Sequence, residues 1–159
     1  MASSGKVNLN IAPDLSHIGH PRVVVIKTAW NSHITDELAK GCIGVLKANG
    51  VQVVELVVPG AMELTFAIQS HMNRHSKVHA YIGIGCVIRG DTPHFDYVCQ
   101  GVTQGITYIN VNMHVPVIFG VLTLDNEQQA LERIGGLHGH KGEEAAYTAL
   151  HMIDFNHEA

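Results

Sequence analysis

Residues 81–96, read as Y-I-G-I-G-C-V-I-R-G-D-T-P-H-F-D, constrain this chain most. The first half is a near-continuous apolar run with β-branched residues, the pattern of a strand buried on both faces, as in a parallel sheet. The run breaks at Arg89-Gly90. Beyond it, Asp91 or Thr92 is suited to cap a helix with Pro93 in its first turn, and Phe95, Val98, Val102, Ile106 and Ile109 recur at helical spacing. The polar residues Arg89, Asp91, Thr92 and His94 therefore stand where a strand passes into a helix. In an open α/β sheet that crevice takes ligands, and a helix N-terminus favours an anion such as phosphate. Two familiar phosphate motifs fail here: Gly83-x-Gly85 lacks a third glycine at Ile88, and Asp91 stands where a P-loop needs lysine. A turn at Gly90 and a cap at Thr92 explain any one of these residues; four polar groups around one turn point to a site.

The same alternation recurs along the chain. Residues 22–28 read as a strand, followed by Ala29-Trp30-Asn31-Ser32 and a helix with Ile34, Leu38, Cys42, Val45 and Leu46 on one face, ending at Asn49-Gly50. Residues 51–58 form a second strand stopped by Pro59-Gly60, and 61–72 a helix with Met62, Leu64, Ile68 and Met72 available to pack. A fourth strand covers 115–124, Asp125-Asn126 caps a helix through residue 134, and Gly135, Gly136 and Gly139 interrupt it. The last helix, from 141 to about 155, presents Ala145, Ala149 and Met152 on one face. Four strand-helix repeats with right-handed crossovers predict a four-stranded parallel sheet with helices on both faces, a three-layer α/β domain spanning 21–159. Residues 1–20 read as an arm. Its alternation at Val7, Leu9 and Ile11 fits an edge strand added to a sheet, a neighbour's included, and a tail without fixed structure fits its composition equally.

Composition narrows the function classes. The 159 residues suffice for one domain with a full core. With 46% hydrophobic and 15% charged residues, the chain has apolar surface to hide in an oligomer as well as in its core. The net charge of −4, with scattered lysines and arginines, gives no footprint for nucleic acid or an anionic membrane. Cys42, Cys86 and Cys99 form no C-x-x-C pair and lie in apolar surroundings, as reduced core cysteines of a cytoplasmic protein do. His71, His75 and His79 recur every fourth residue, but Asn73, Arg74, Ser76 and Lys77 between them describe a solvated helix end, so no metal is expected.

The motif V-I-R-G-D-T-P-H-F-D at 87–96, with V-P-G-A-M-E-L at 58–64, V-P-V-I-F-G-V-L-T at 115–123, D-N-E-Q-Q-A-L-E-R at 125–133 and H-G-H-K-G-E-E-A-A at 138–146, resembles the 6,7-dimethyl-8-ribityllumazine synthase family in order and spacing. His140 stands where that family's pattern has asparagine, and Cys86 is at a tolerant position. The resemblance implies a flavodoxin-like strand order and a transferase that condenses 5-amino-6-(D-ribitylamino)uracil with 3,4-dihydroxy-2-butanone 4-phosphate, releasing phosphate and water. No cofactor is implied. The small-molecule substrates are held, on this resemblance, by Trp30 and Phe119 flanking the pyrimidine ring, by the backbone around Val87 and Ile88, and by Gly60, Ala61 and Glu63. Phosphate falls to Gly90, Asp91, Thr92 and Arg133, with Lys141 nearby. His94 is the general acid/base, since histidine is the side chain that exchanges protons near neutrality.

Several of these residues have plainer readings. A single tryptophan past a strand end serves packing as readily as stacking, and Glu63 in a first helical turn also suits the helix N-terminus. A helix from Asp125 carries Arg133 roughly 12 Å from the strand ends, at 1.5 Å per residue. Arg133 and Phe119 then reach a phosphate beside His94 only from a neighbouring subunit of a head-to-tail ring. The resemblance implies a pentamer, either alone or as one of twelve in a 60-subunit shell, and is compatible with an association with riboflavin synthase. Competing readings are a Cys-His hydrolase built on Cys86 or Cys99 with His94, and a non-catalytic flavin-binding, lumazine-binding or shell-forming protein of the same fold.

Overall fold

A computed structural model describes residues 9–159. Four strands, β1 (Arg22–Thr28), β2 (Gln52–Val58), β3 (Ala80–Ile88) and β4 (Val117–Leu124), form one parallel sheet in the order β2-β1-β3-β4. The helices that join them are α1 (Ser32–Ala48), α2 (Ala61–Arg74) and α3 (His94–Asn112). After β4 come a short α4 (Glu127–Leu131), a two-stranded antiparallel hairpin of β5 (Ile134–Gly136) and β6 (Gly139–His140), and the closing helix α5 (Lys141–Glu158). This is the three-layer α/β architecture expected from the pattern of apolar strands and helical repeats, with the flavodoxin-like strand order that the family resemblance implies.

The central strands explain why the sheet is covered on both sides. Val23, Val25, Ile82 and Ile84 point to one face and pack with Ile34, Leu38, Leu46, Ala149 and Leu150 of α1 and α5. Val24, Ile26 and Tyr81 point to the other and meet Leu64, Ile68, Val102, Ile106 and Ile109 of α2 and α3. The side chains of β1 from Val23 to Ile26 are fully buried. Each such aliphatic side chain contributes about 1.5–3 kcal/mol through burial, so the alternation of faces fixes the register of the central strands. The two helices on the first face approach closely: a Cβ on Gly142 would collide with the Leu38 backbone, and one on Gly41 would collide with the His140 ring.

Three expectations change. The helix after β4 ends at Leu131, short of residue 134, because the Arg133 N–H bonds the Ala130 carbonyl in a tighter turn and the chain then enters the hairpin through Gly135 at φ 108°. Arg133 therefore lies beyond the helix that was expected to carry it. Helix α3 starts at His94 with Pro93 as its N-cap; the Thr92 hydroxyl accepts from the His94 N–H at 3.4 Å, and neither Asp91 nor Thr92 caps the helix. Met62 and Met152, expected to pack, are 49% and 37% exposed, although the Met62 thioether rests against Gly101 of α3.

Of the arm, Leu9 and Ile11 are exposed, the Leu9 carbonyl lies 3.2 Å from His151 Nε2, and Leu15 is buried among the α1 and α5 residues. Val7 lies outside the described residues. The histidine series is split by the end of α2: His71 and His75 stack with ring centres 4.1 Å apart and His71 Nδ1 is 2.9 Å from the Tyr81 hydroxyl, whereas His79 Nδ1 accepts the Arg22 N–H. No helix among the described residues is long and apolar enough to cross a membrane.

Candidate active site

At the carboxyl ends of β1 and β3, where the strand order reverses, a cavity of about 350 Å³ opens. Ligands bind at this switch point in open α/β sheets. Four segments line it: Thr28 at the end of β1 with Trp30 and Asn31 just beyond; Ala61, Met62 and Glu63 at the start of α2; Cys86, Val87 and Ile88 at the end of β3; His94 and Val98 on α3.

The β1 and β2 ends are tied together by the Ala29 N–H on the Val58 carbonyl and the Trp30 N–H on the Pro59 carbonyl, 2.8 and 3.0 Å. This puts the Trp30 indole against Gly60, where an added Cβ would lie 2.6 Å from ring carbons. Only glycine admits the ring there. Trp30 is otherwise 67% exposed, a broad aromatic surface left open beside the cavity. Glu63 reaches back from the first turn of α2 to accept the Gly60 N–H at 2.9 Å. Its local role is thus the plainer one, and it still borders the cavity. His94 opens α3 with an exposed ring, and Gly90, Asp91 and Thr92 form the exposed loop between Ile88 and His94.

Three expected site residues are elsewhere in the chain. Phe119 and Lys141 line a separate cavity of about 560 Å³ between β4 and α5, where Lys141 Nζ is held 2.8 Å from Glu144. Arg133 donates to the Gln129 carbonyl at 2.9 Å and lies 3.9 Å from the Glu132 carboxylate. None of the three lines the cavity of Trp30 and His94.

The role of Asn31 escaped the sequence reading, and that of Arg89 differs from it. Asn31 is the single non-glycine residue with positive φ among those described, at φ 57° and ψ 42°, and its side-chain amide donates to the Cys86 carbonyl at 2.9 Å. Asparagine tolerates this left-handed conformation better than most residues, which is the signal its type carried. Arg89 was grouped with the site, but its guanidinium is shared between Asp125 at 2.9 Å and Asp96 at 3.2 Å and sits 4.1 Å from the Phe95 ring centre. It braces the loop from three sides.

Cysteine chemistry does not fit this cavity. Burial, with the Glu127 carboxylate adding to it, pushes the Cys86 thiol up to about 11, and burial also raises Cys99. A nucleophile needs thiolate, and both surroundings oppose it.

A family model for 6,7-dimethyl-8-ribityllumazine synthase matches residues 20–157. The chain belongs to the 6,7-dimethyl-8-ribityllumazine synthase family. Curated proteins of that name are similar along most of their length. The one from Porphyromonas gingivalis is 54% identical over 134 residues, covering 82% of this chain and 83% of that protein. The one from Parabacteroides distasonis is 44% identical over 152 residues, covering 94% and 92%, and that from Cytophaga hutchinsonii is 40% identical over 156 residues, covering 96% and 98%. The family match spans every element of the lumazine synthase fold described above, from β1 to nearly the end of α5.

Proposed function

We propose that this chain is a cytoplasmic transferase that condenses 5-amino-6-(D-ribitylamino)uracil with 3,4-dihydroxy-2-butanone 4-phosphate to 6,7-dimethyl-8-ribityllumazine, with loss of phosphate and water, in riboflavin biosynthesis. The observation that supports it most is the single cavity lined by Trp30, Glu63, Val87, Ile88 and His94, in a chain of the lumazine synthase family. The pyrimidine stacks on the open face of Trp30, its polar edge meets the backbone at Val87 and Ile88, and the ribityl hydroxyls reach Gly60, Ala61 and Glu63.

The substrate brings its own amine, so attack on the ketone carbonyl needs no enzyme nucleophile. What the protein adds is orientation and proton transfer. His94 moves protons as the imine forms and as phosphate leaves. The exposed backbone of Gly90 and Asp91, with the Thr92 hydroxyl, lies at the start of α3, where the helix end favours an anion. Arg133 completes the phosphate site as a planar bidentate donor, with Lys141 beside it and Phe119 against the ring.

Because Phe119, Arg133 and Lys141 do not line the His94 cavity of their own chain, they reach it from the adjacent subunit of a head-to-tail homopentamer. A 60-subunit shell of such rings and an association with riboflavin synthase extend the same reading. A coupled assay with the two substrates tests the activity. Orthophosphate should appear in step with lumazine absorbance; phosphate-free binding of the uracil without turnover would make the chain a binding protein instead.

A further inference from the structure

A second cavity, about 510 Å³, lies at the opposite end of the sheet and is lined by His20, Arg22, Gln52, Ser76, Lys77 and His79. These residues sit just before or at the amino ends of β1 and β2 and in the link leading to β3. No carboxylate lines it.

The cations here differ from most others in the chain. Of the nine lysines and arginines among the described residues, Lys27, Lys40, Arg89, Arg133 and Lys141 contact a carboxylate, which leaves Arg22, Lys47, Arg74 and Lys77. Two of those four converge on this one cleft, in a chain of net charge −4. Like charges left side by side without an acid repel one another, and an anion between them removes that cost.

The neutral groups are oriented to donate as well. His79 Nδ1 lies 3.0 Å from the Arg22 backbone N–H, which can only donate. Nδ1 is therefore the acceptor, and the ring proton sits on Nε2. The Gln52 carbonyl oxygen accepts from the Arg22 guanidinium at 3.3 Å, which leaves the Gln52 amide N–H groups as its free donors. Ser76 adds a hydroxyl.

We propose that this cleft binds a small phosphate-bearing anion, with Arg22 and Lys77 on the phosphoryl oxygens and His79, Gln52 and Ser76 as neutral donors. A phosphoryl group fits this set because it offers several acceptor oxygens to a planar guanidinium and a point ammonium at once. The site is separate from the cavity of Trp30 and His94, with which it shares no lining residue.

Isothermal titration calorimetry of the full chain with inorganic pyrophosphate at low ionic strength tests this. Arg22→Gln/Lys77→Gln should weaken binding by at least about tenfold, as expected for losing two charge-assisted contacts. Arg133→Gln should retain this binding, and Lys47→Gln/Arg74→Gln, which removes the same charge elsewhere, should also retain it. Steady-state kcat and KM of Arg22→Gln/Lys77→Gln should equal those of the wild type. Unchanged pyrophosphate binding in that variant overturns the site. So does an equal loss in Lys47→Gln/Arg74→Gln, which would make the effect one of net charge. A loss confined to Arg133→Gln would assign the anion to the catalytic cavity, and tighter binding of a duplex oligonucleotide than of pyrophosphate would replace the small-anion assignment. Lys77→Arg should keep the affinity within a few-fold, as the conservative control.

Discussion

Under the proposed function His94 and Trp30 divide the work of the cavity in different ways, and their substitutions should read differently. His94→Ala should lower kcat by about 100-fold and leave substantial activity, since general acid/base help is of that order while positioning carries more of the barrier. Arg133→Ala should instead raise KM for the butanone phosphate. Steady-state kinetics on both variants checks this, and a His94→Ala protein as inactive as buffer would make proton transfer the dominant contribution. Trp30 is the only tryptophan and is largely exposed beside the cavity. A bound lumazine should therefore quench its emission; an unchanged spectrum at saturation, with binding measured independently, would remove the ring from the ligand. Glu63 meets a structural requirement through the carboxylate oxygen that accepts the Gly60 N–H, and the proposed function adds a ligand requirement to the same side chain.

Among the elements, the strands and long helices were legible because burial repeats along them: Leu64 and Ile68 on α2, and Val102, Ile106 and Ile109 on α3, are the periodic residues and are the buried ones. In the stretch from Asp125 to His140 the cap was legible, since the Asn126 side chain accepts the Gln129 N–H, but the helix length and the hairpin were not. Its helix lasts five residues, and the hairpin after it depends on backbone bonds from His138 to Glu132 and from Lys141 to Arg133, which no side-chain pattern announces. The candidate cavity was legible as a place, the strand ends, but the brace of Arg89 between Asp96 and Asp125 depends on contacts distant in sequence. The seam of α1 against α5 supplies an element-scale test. Gly142→Ala pushes a methyl into the Leu38 backbone and should cost about 1–3 kcal/mol. Gly44→Ala, in the same helix α1 with nothing near its added carbon, should stabilise by about 0.5–1 kcal/mol. Thermal melts followed by circular dichroism decide between them; equal melting temperatures would mean that α5 shifts freely on α1.

On the scale of the whole molecule, the proposed sharing of the site predicts intersubunit complementation. Co-assembled His94→Ala and Arg133→Ala chains in equal amounts should restore about a quarter of the sites by random mixing around a head-to-tail ring. Activity equal to the mean of the two parents would return both residues to one chain. The separation of Phe119 and Arg133 from the His94 cavity also bears on how activity depends on dilution. On the proposed sharing, a subunit offers a cup on one flank and a lid on the other, and only a junction between two subunits is a working unit. An open row then has one junction fewer than it has chains, while a closed circle has as many junctions as chains. Activity per chain should therefore track ring closure and not folding: a diluted, fully folded monomer would be silent, and the last subunit to join would complete two catalytic units at once.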